Sequence, residues 1–492
     1  MRSIYLAGLM SLLAACSMFA DYKRPEVKAP DSFRGQTAPP GGKSLADLSW
    51  WEIYRDPVLE KLIATALKQN YDVRIAMARV EEFRSFVGIS GLGSIPQAAA
   101  GGSSTRSRIS TVGPTPLPSN AAPVRSTYNA ELDVAYEIDL WRRISNLSAA
   151  ARADFLASEF ARDTTRVSVI ASVAGTYFAL RALDQQLLIT QRTVAAREKF
   201  LELTRAQFKR GVVSGLDVNR AEASLATARA AVPDLKSLIV QTENQLQILL
   251  GENPASIVRD AASDANFFPV PPDVPTGLPA TLLERRPDVR QAENVLIGAN
   301  ARLKSVKASL FPTISLTGSV GSQSAALSNL FSGPAGTWSF GLSLLQPIID
   351  LNRNVYQVDA FTAREKAAIL QYQQIVAQAF REVSDALAAR QGFGESLRAQ
   401  DEQVAALREA NQRVLKRYTI GYSSYFEVID ADGALFTAEL LRVQAYRNML
   451  TSLVQLYKAL GGGWQTAALD IRQPGAPKPG AGEAAGQTPP SK

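Results

Sequence analysis

The 492-residue chain has no histidine. This removes the commonest general base and the commonest metal ligand. It has one cysteine, Cys16, so it can form neither an internal disulfide nor a cysteine-rich metal site. Beyond the N-terminus there is no run of roughly 18 or more apolar residues, so no membrane-spanning helix is expected. There is no nucleophile elbow, and the glycine-rich stretch near Gly101 lacks the lysine of a phosphate-binding loop. These absences exclude the usual enzyme classes, and no metal or non-covalent cofactor is expected. Five methionines are too few for a soft-metal cluster. The net charge is +7, but Lys and Arg are interspersed with Asp and Glu along helical patterns. That is a solvated helical surface, and no nucleic-acid partner is expected.

Residues 1–15 read as a signal peptide. Arg2 supplies the charge, Ile4 to Leu13 the short apolar core, and Leu13-Ala14-Ala15-Cys16 the form of a bacterial lipobox. Cleavage before Cys16 would leave its thiol for a covalent lipid. The alternative is an ordinary secretory signal beside a chance cysteine. Residues 16–56 are an extended, lipidated segment in this reading. A helix is expected from about Pro57 to Gln69. Another runs from Asp72 towards Gly88, with Val73, Ala76, Val80 and Phe83 on one face.

Residues 97–125 are rich in Gly, Ser, Thr and Pro and end before the clearest strand, Thr127 to Trp141. There Tyr128, Leu132, Val134, Tyr136 and Ile138 alternate with Asn129, Glu131, Asp133 and Glu137, giving one apolar and one acidic face. A half-buried strand of a soluble sandwich would read similarly, but the length and flanking aromatics fit a membrane barrel strand better. From Ser145 to about Lys209 the pattern is helical and proline-free, a length of roughly 100 Å. A helix returns from Leu216 to about Leu250, with a kink expected at Pro233.

After a linker over residues 252–278 the plan repeats. Pro287 opens a helix. Strands are expected over Thr313–Gly321 and around Trp338, Phe340, Leu342 and Leu344. A second long helix runs from Arg353 to about Arg417 and returns from Tyr425 to about Leu460. The repeats span residues 57–251 and 279–464, and residues 465–492 form a Gly/Pro/Ala-rich tail read as disordered.

The two hairpin tips match at a constant offset of 210 residues: Gly211 with Gly421, Ser214 with Ser424, Asp217 with Glu427, Val218 with Val428. Each glycine suits a positive φ at a helix end. Each serine suits the next N-cap. Glu427 lies in a first helical turn, where the macrodipole favours a carboxylate, and Asp430 follows one turn later. Two strands per repeat make four, too few to close a barrel that usually needs about eight, and an open edge cannot face lipid. If these strands cross a membrane, copies of the chain must associate.

The lipobox at Cys16, Tyr22-Lys23-Arg24-Pro25, Trp51 with Asp56-Pro57, the Leu282–Val289 segment Leu-Leu-Glu-Arg-Arg-Pro-Asp-Val, the Phe311–Ser319 segment and the duplicated tips occur in one order. On these the chain resembles the TolC-type outer-membrane factors, in their lipoprotein, NodT-like branch. The resemblance implies a mainly α fold with a transmembrane β-barrel: a homotrimer whose twelve-stranded barrel continues into a twelve-helix periplasmic α-barrel. It implies the exit duct of a tripartite efflux pump, working with a periplasmic adaptor and an inner-membrane transporter. It implies a periplasmic gate at Asp430, Glu427, Phe426 and Tyr418, and adaptor docking at Gly211, Ser214, Asp217, Gly421 and Ser424. Ser423 stands where some members carry a locking arginine, a departure that removes that latch here. The alternatives are the outer duct of a type I protein-secretion system and a non-conducting lipoprotein spacer.

Overall fold

In the computed structural model the described residues are 22–27, 30, 32–34, 53, 56–112, 118, 122–262, 282–346, 348 and 350–462. The signal peptide, Cys16, Trp51 and the tail from residue 465 lie outside them.

Helix α1 (Pro57–Gln69) begins where the sequence places it, with Asp56 accepting from the amides of Val58 and Leu59 at 2.9 and 3.1 Å. Its apolar residues Leu59, Ile63 and Ala66 are fully buried. Helix α2 (Tyr71–Leu92) buries Val73, Ala76 and Val80. Then come strands β1 (Gln97–Arg108) and β2 (Val124–Ile138) and the long helix α3 (Arg143–Lys209). Helix α4 (Gly215–Leu250) is continuous through Pro233. The second repeat has the short helix α5 (Leu282–Arg285), α6 (Pro287–Ala308), β3 (Thr313–Ser324) and β4 (Gly336–Leu345). It ends with the long helix α7 (Leu351–Thr419) and α8 (Tyr425–Ala459).

The four strands form one antiparallel sheet in the order β1-β2-β3-β4. Its register sorts the side chains cleanly. Leu132 pairs with Val320 and Val320 with Trp338; Tyr136 pairs with Leu316 and Leu316 with Leu342. Facing residues share a side of a sheet, so these form one apolar face. Between them, Asp133 pairs with Ser319 and Ser319 with Ser339, while Glu137 pairs with Ser315 and Ser315 with Ser343. That is the polar face. Trp338, Phe340, Leu342 and Leu344 are 67–81% exposed. The sequence does not announce β1 as a strand: Gln-Ala-Ala-Ala-Gly-Gly-Ser-Ser-Thr-Arg-Ser-Arg has no apolar alternation. It is a strand because β2 supplies twelve consecutive backbone partners, from Ala135 back to Val124. β1 and β4 remain open edges within the chain.

The chain divides into two compact units, and neither is one repeat. Of the described residues, one takes those up to 30 and those within 71–165 and 286–381, the other those within 31–70, 166–285 and 382–462. In the first, Trp141 stacks on Phe311 with centroids 4.9 Å apart and donates to the Pro312 carbonyl at 2.8 Å, tying the end of β2 to the start of β3. In the second, α1 packs on α4. Gly251 ends α4 at φ 75°, and a Cβ there would lie 2.4 Å from the Gln69 carbonyl oxygen, so only glycine fits. Tyr177 donates to Asp56 at 2.8 Å, and Arg259 pairs with Asp184 at 2.6 Å and Glu243 at 2.5 Å. One 18-residue window of α3 is apolar enough to cross a membrane, yet 61% of it is buried in protein, as expected of a core helix.

Candidate functional site at the helix tips

Both tips belong to the second unit and are built alike. At the first, Gly211 has φ 71°; its amide donates to Phe208 O at 2.9 Å and that of Val212 to Gln207 O at 3.0 Å. At the second, Gly421 has φ 82°; its amide donates to Tyr418 O at 3.1 Å and that of Tyr422 to Arg417 O at 2.9 Å. Both are Schellman closures, which satisfy carbonyls left over at a helix end. A capping box then opens each return helix. Ser214 and Asp217 bond each other's backbone amides, as do Ser424 and Glu427. The serines and glycines expected at the tips thus fix the turns.

The four expected gate residues divide into two pairs. Glu427 accepts from the Ser424 amide at 3.1 Å and hydroxyl at 3.0 Å. The Ser424 backbone, then the Ser424 and Ser423 hydroxyls, bond its ionised form and lower its pKa. Tyr418 is buried and donates to Gln207 Oε1 at 2.7 Å, across from the second tip to the first. Burial raises its pKa. Glu427 and Tyr418 therefore hold the tip's shape. Phe426 and Asp430 lie on another face of α8, exposed as Glu427 is, beside Gly433 and Thr437. They line an open groove of about 610 Å³ with Gln403 and Leu407 of α7. The Arg220 guanidinium of α4 lies 5.7 Å from the Phe426 ring centroid.

Several participants are not evident from the sequence. Arg417 braces its own turn: it donates to Ser423 Oγ at 3.0 Å and Tyr422 O at 3.1 Å. Arg197 of α3 pairs with Asp432 of α8 at 2.7 Å, donates to Ser224 O of α4 at 2.8 Å and lies 5.4 Å from the Phe436 ring. Beside it, Phe200 stacks on Tyr425 with centroids 5.4 Å apart. Burial pushes the Tyr425 hydroxyl up to about 12. Arg197 could have been suspected, as a charge on the stripe that includes Val194 and Leu201; its partner 235 residues away could not. Among the described residues no cluster of His, Cys, Asp or Glu could hold a metal.

A family model described as outer membrane efflux protein matches residues 62–252 and 278–462. The chain is similar to the toluene efflux pump outer membrane protein TtgC of Pseudomonas putida, at 34% identity over 93% of this chain and 95% of the relative. It is similar to the cation efflux system protein CusC of Escherichia coli, at 30% identity over 92% and 97%. Among solved structures, the outer-membrane channel OprN superposes with a TM-score of 0.85 at 28% identity, covering 92% of this chain and 100% of that one. The open state of the Neisseria gonorrhoeae outer membrane channel MtrE superposes with a TM-score of 0.81 at 31% identity, covering 91% and 98%.

Proposed function

Because this chain belongs to the outer membrane efflux protein family, and is thus a non-enzymatic outer-membrane channel component of an efflux pump, we propose that three copies build one duct. Each contributes four strands to a twelve-stranded barrel and two helical hairpins to a twelve-helix tunnel. The observation that carries this reading is the sheet. It has a continuous apolar face, a face of Glu131, Asp133, Glu137 and serines, and two unpaired edges. Such a sheet meets lipid on one side only if neighbouring copies pair its edges and enclose the polar side.

The duct is closed at the second tip, where three copies of Asp430 and Phe426 converge on the axis and Glu427 and Tyr418 hold the turn beneath them. Gathered carboxylates repel one another and attract cations. Gly211, Ser214, Asp217, Gly421 and Ser424 form the rim on which a periplasmic adaptor docks, and an inner-membrane transporter supplies the energy. A lipid on Cys16 anchors the chain. One relative is named for toluene and another for cation efflux, which supports a duct that conducts small molecules and leaves their selection to its partners.

The test is single-channel conductance of the purified protein in a planar bilayer, beside Asp430→Ala. Small, rare openings that enlarge clearly in the variant are expected. Equal conductance in both would leave the channel and remove the gate from Asp430. No conductance from folded, trimeric protein would favour a non-conducting spacer.

A further inference from the structure

Arg142 is the only non-glycine residue with positive φ among the described residues, at 59°. A side chain there is disfavoured by contact with its own backbone, and glycine would adopt the same conformation freely. The neighbouring arginine is engaged locally, since Arg143 grips Glu137 through two bonds of 2.9 and 2.7 Å. Arg142 makes no such contact. It is exposed, and neither it nor Arg152 has an ion-pair partner among the described residues.

Both line one open pocket of about 530 Å³ between the first turns of α3 and helix α6. Ser94, Ser145, Ser148 and Asn294 supply its other polar groups, and no carboxylate lines it. Side chains on a helix lean towards its N-terminus, so Arg152 leans back towards Arg142. Asp139, the carboxylate of the same turn, is occupied by the amides of Ile144 and Ser145 and the Ser145 hydroxyl, at 2.6–2.9 Å. The remaining walls, Ala149, Ala153, Leu156 and Ile297, are apolar.

The pocket also sits at the right level for a membrane surface. The apolar stripe of β2 ends at Ile138, and the stacked Trp141 and Phe311 follow immediately. Such aromatics mark the level of lipid headgroups in membrane barrels. The second repeat has Arg353 three residues after Asp350, as Arg142 follows Asp139, and it too is exposed.

We propose that Arg142 and Arg152 form a binding site for the phosphodiester headgroup of an anionic phospholipid. Guanidinium pairs suit phosphate oxygens, and hydroxyls and an amide add neutral contacts. A free phosphate would use the same cations but would leave the apolar wall uncovered, which favours the lipid.

The experiment is native mass spectrometry of the full-length protein in dodecyl maltoside, titrated with phosphatidylglycerol, with and without inorganic phosphate. Saturable lipid binding is expected, weakened about tenfold in Arg142→Gly and in Arg152→Gln. Arg142→Gly should melt no lower than the parent, since glycine relieves the backbone, so lost binding there cannot be ascribed to misfolding. Unchanged lipid affinity in both variants would overturn the site. So would inorganic phosphate binding as tightly as the lipid and displacing it, which would make this a free-anion site.

Discussion

The two helical tips share a backbone and differ in charge. Each closes with a Schellman turn on a glycine and reopens with a Ser-to-acid capping box. Yet one turn past the cap, at the offset of 210, the first tip carries Arg220 where the second carries Asp430. It carries Leu216 where the second has Phe426 and Phe208 where the second has Tyr418. The hairpins also swap polarity in their braces. Glu198 of α3 pairs with Arg229 of α4 at 2.6 Å; at the equivalent positions Arg408 of α7 pairs with Glu439 of α8 at 2.5 Å. Duplication preserved what the turn geometry demands and left the exposed charges free to diverge, provided each pair remained complementary. The exposed position one turn past the cap is thus basic at the first tip and acidic at the second.

The largest expected effect lies where the repeats are least alike. Arg197 and Asp432 correspond to Leu407 and Glu222, so their ion pair has no counterpart. Arg197→Ala leaves Asp432 half-buried and the Ser224 carbonyl without that donor. We expect a loss of about 2–3 kcal/mol in chemical denaturation. Arg205→Ala, which breaks the exposed pair with Glu222, should cost about 0–1 kcal/mol. Equal losses would dissolve the contrast.

Next is Tyr418→Phe, which gives the second tip the ring of the first and removes the 2.7 Å bond to Gln207. A loss of about 1 kcal/mol is expected, with more frequent channel openings if that bond holds the tip closed. An unchanged melting temperature and unchanged openings would count against it.

Smaller still is the brace. Glu198→Arg should cost about 0.2–1 kcal/mol, and Glu198→Arg with Arg229→Glu, which reproduces the polarity of the second hairpin, should restore it. Failure of the double variant to recover would show that the pair's polarity is fixed by further neighbours.

The smallest effect is a pH dependence at the second cap. Hydrogen bonds from Ser424 and Ser423 hold the Glu427 carboxyl below its ordinary value of 4.5. The cap therefore contributes fully above that value and is lost as pH falls through the depressed one. Hydrogen-exchange protection at residues 424–428, taken relative to the intrinsic rate at each pH, should fall over that range, and Glu427→Gln should flatten the response.

Much of this was legible in the chain. The period-two alternation of β2, the proline-free runs of α3 and α7 and the spacing Gly-x-x-Ser at both tips are local signals, and the structure carries each where expected. β1 was not legible, because its small residues carry no pattern of their own and it is a strand only through β2. The resemblance marks Asp430 and Phe426 as candidate gate residues together with Glu427 and Tyr418. It could not separate the pair that lines the groove from the pair bonded to Ser424 and Gln207. Arg197 and Asp432 were invisible as partners for the same reason: nothing local links residues 235 apart.

The sequence by itself determined the duplication, the helix ends and the two-faced sheet, because caps, glycine turns and alternating polarity act between residues a few positions apart. Only the tertiary structure decided the strand order, the strand identity of β1, the Arg197–Asp432 pair between hairpins and the strained, unpaired Arg142. The first three are set by groups that are distant in the chain and meet only once the backbone has folded, and the last by a turn whose backbone angles no residue type announces.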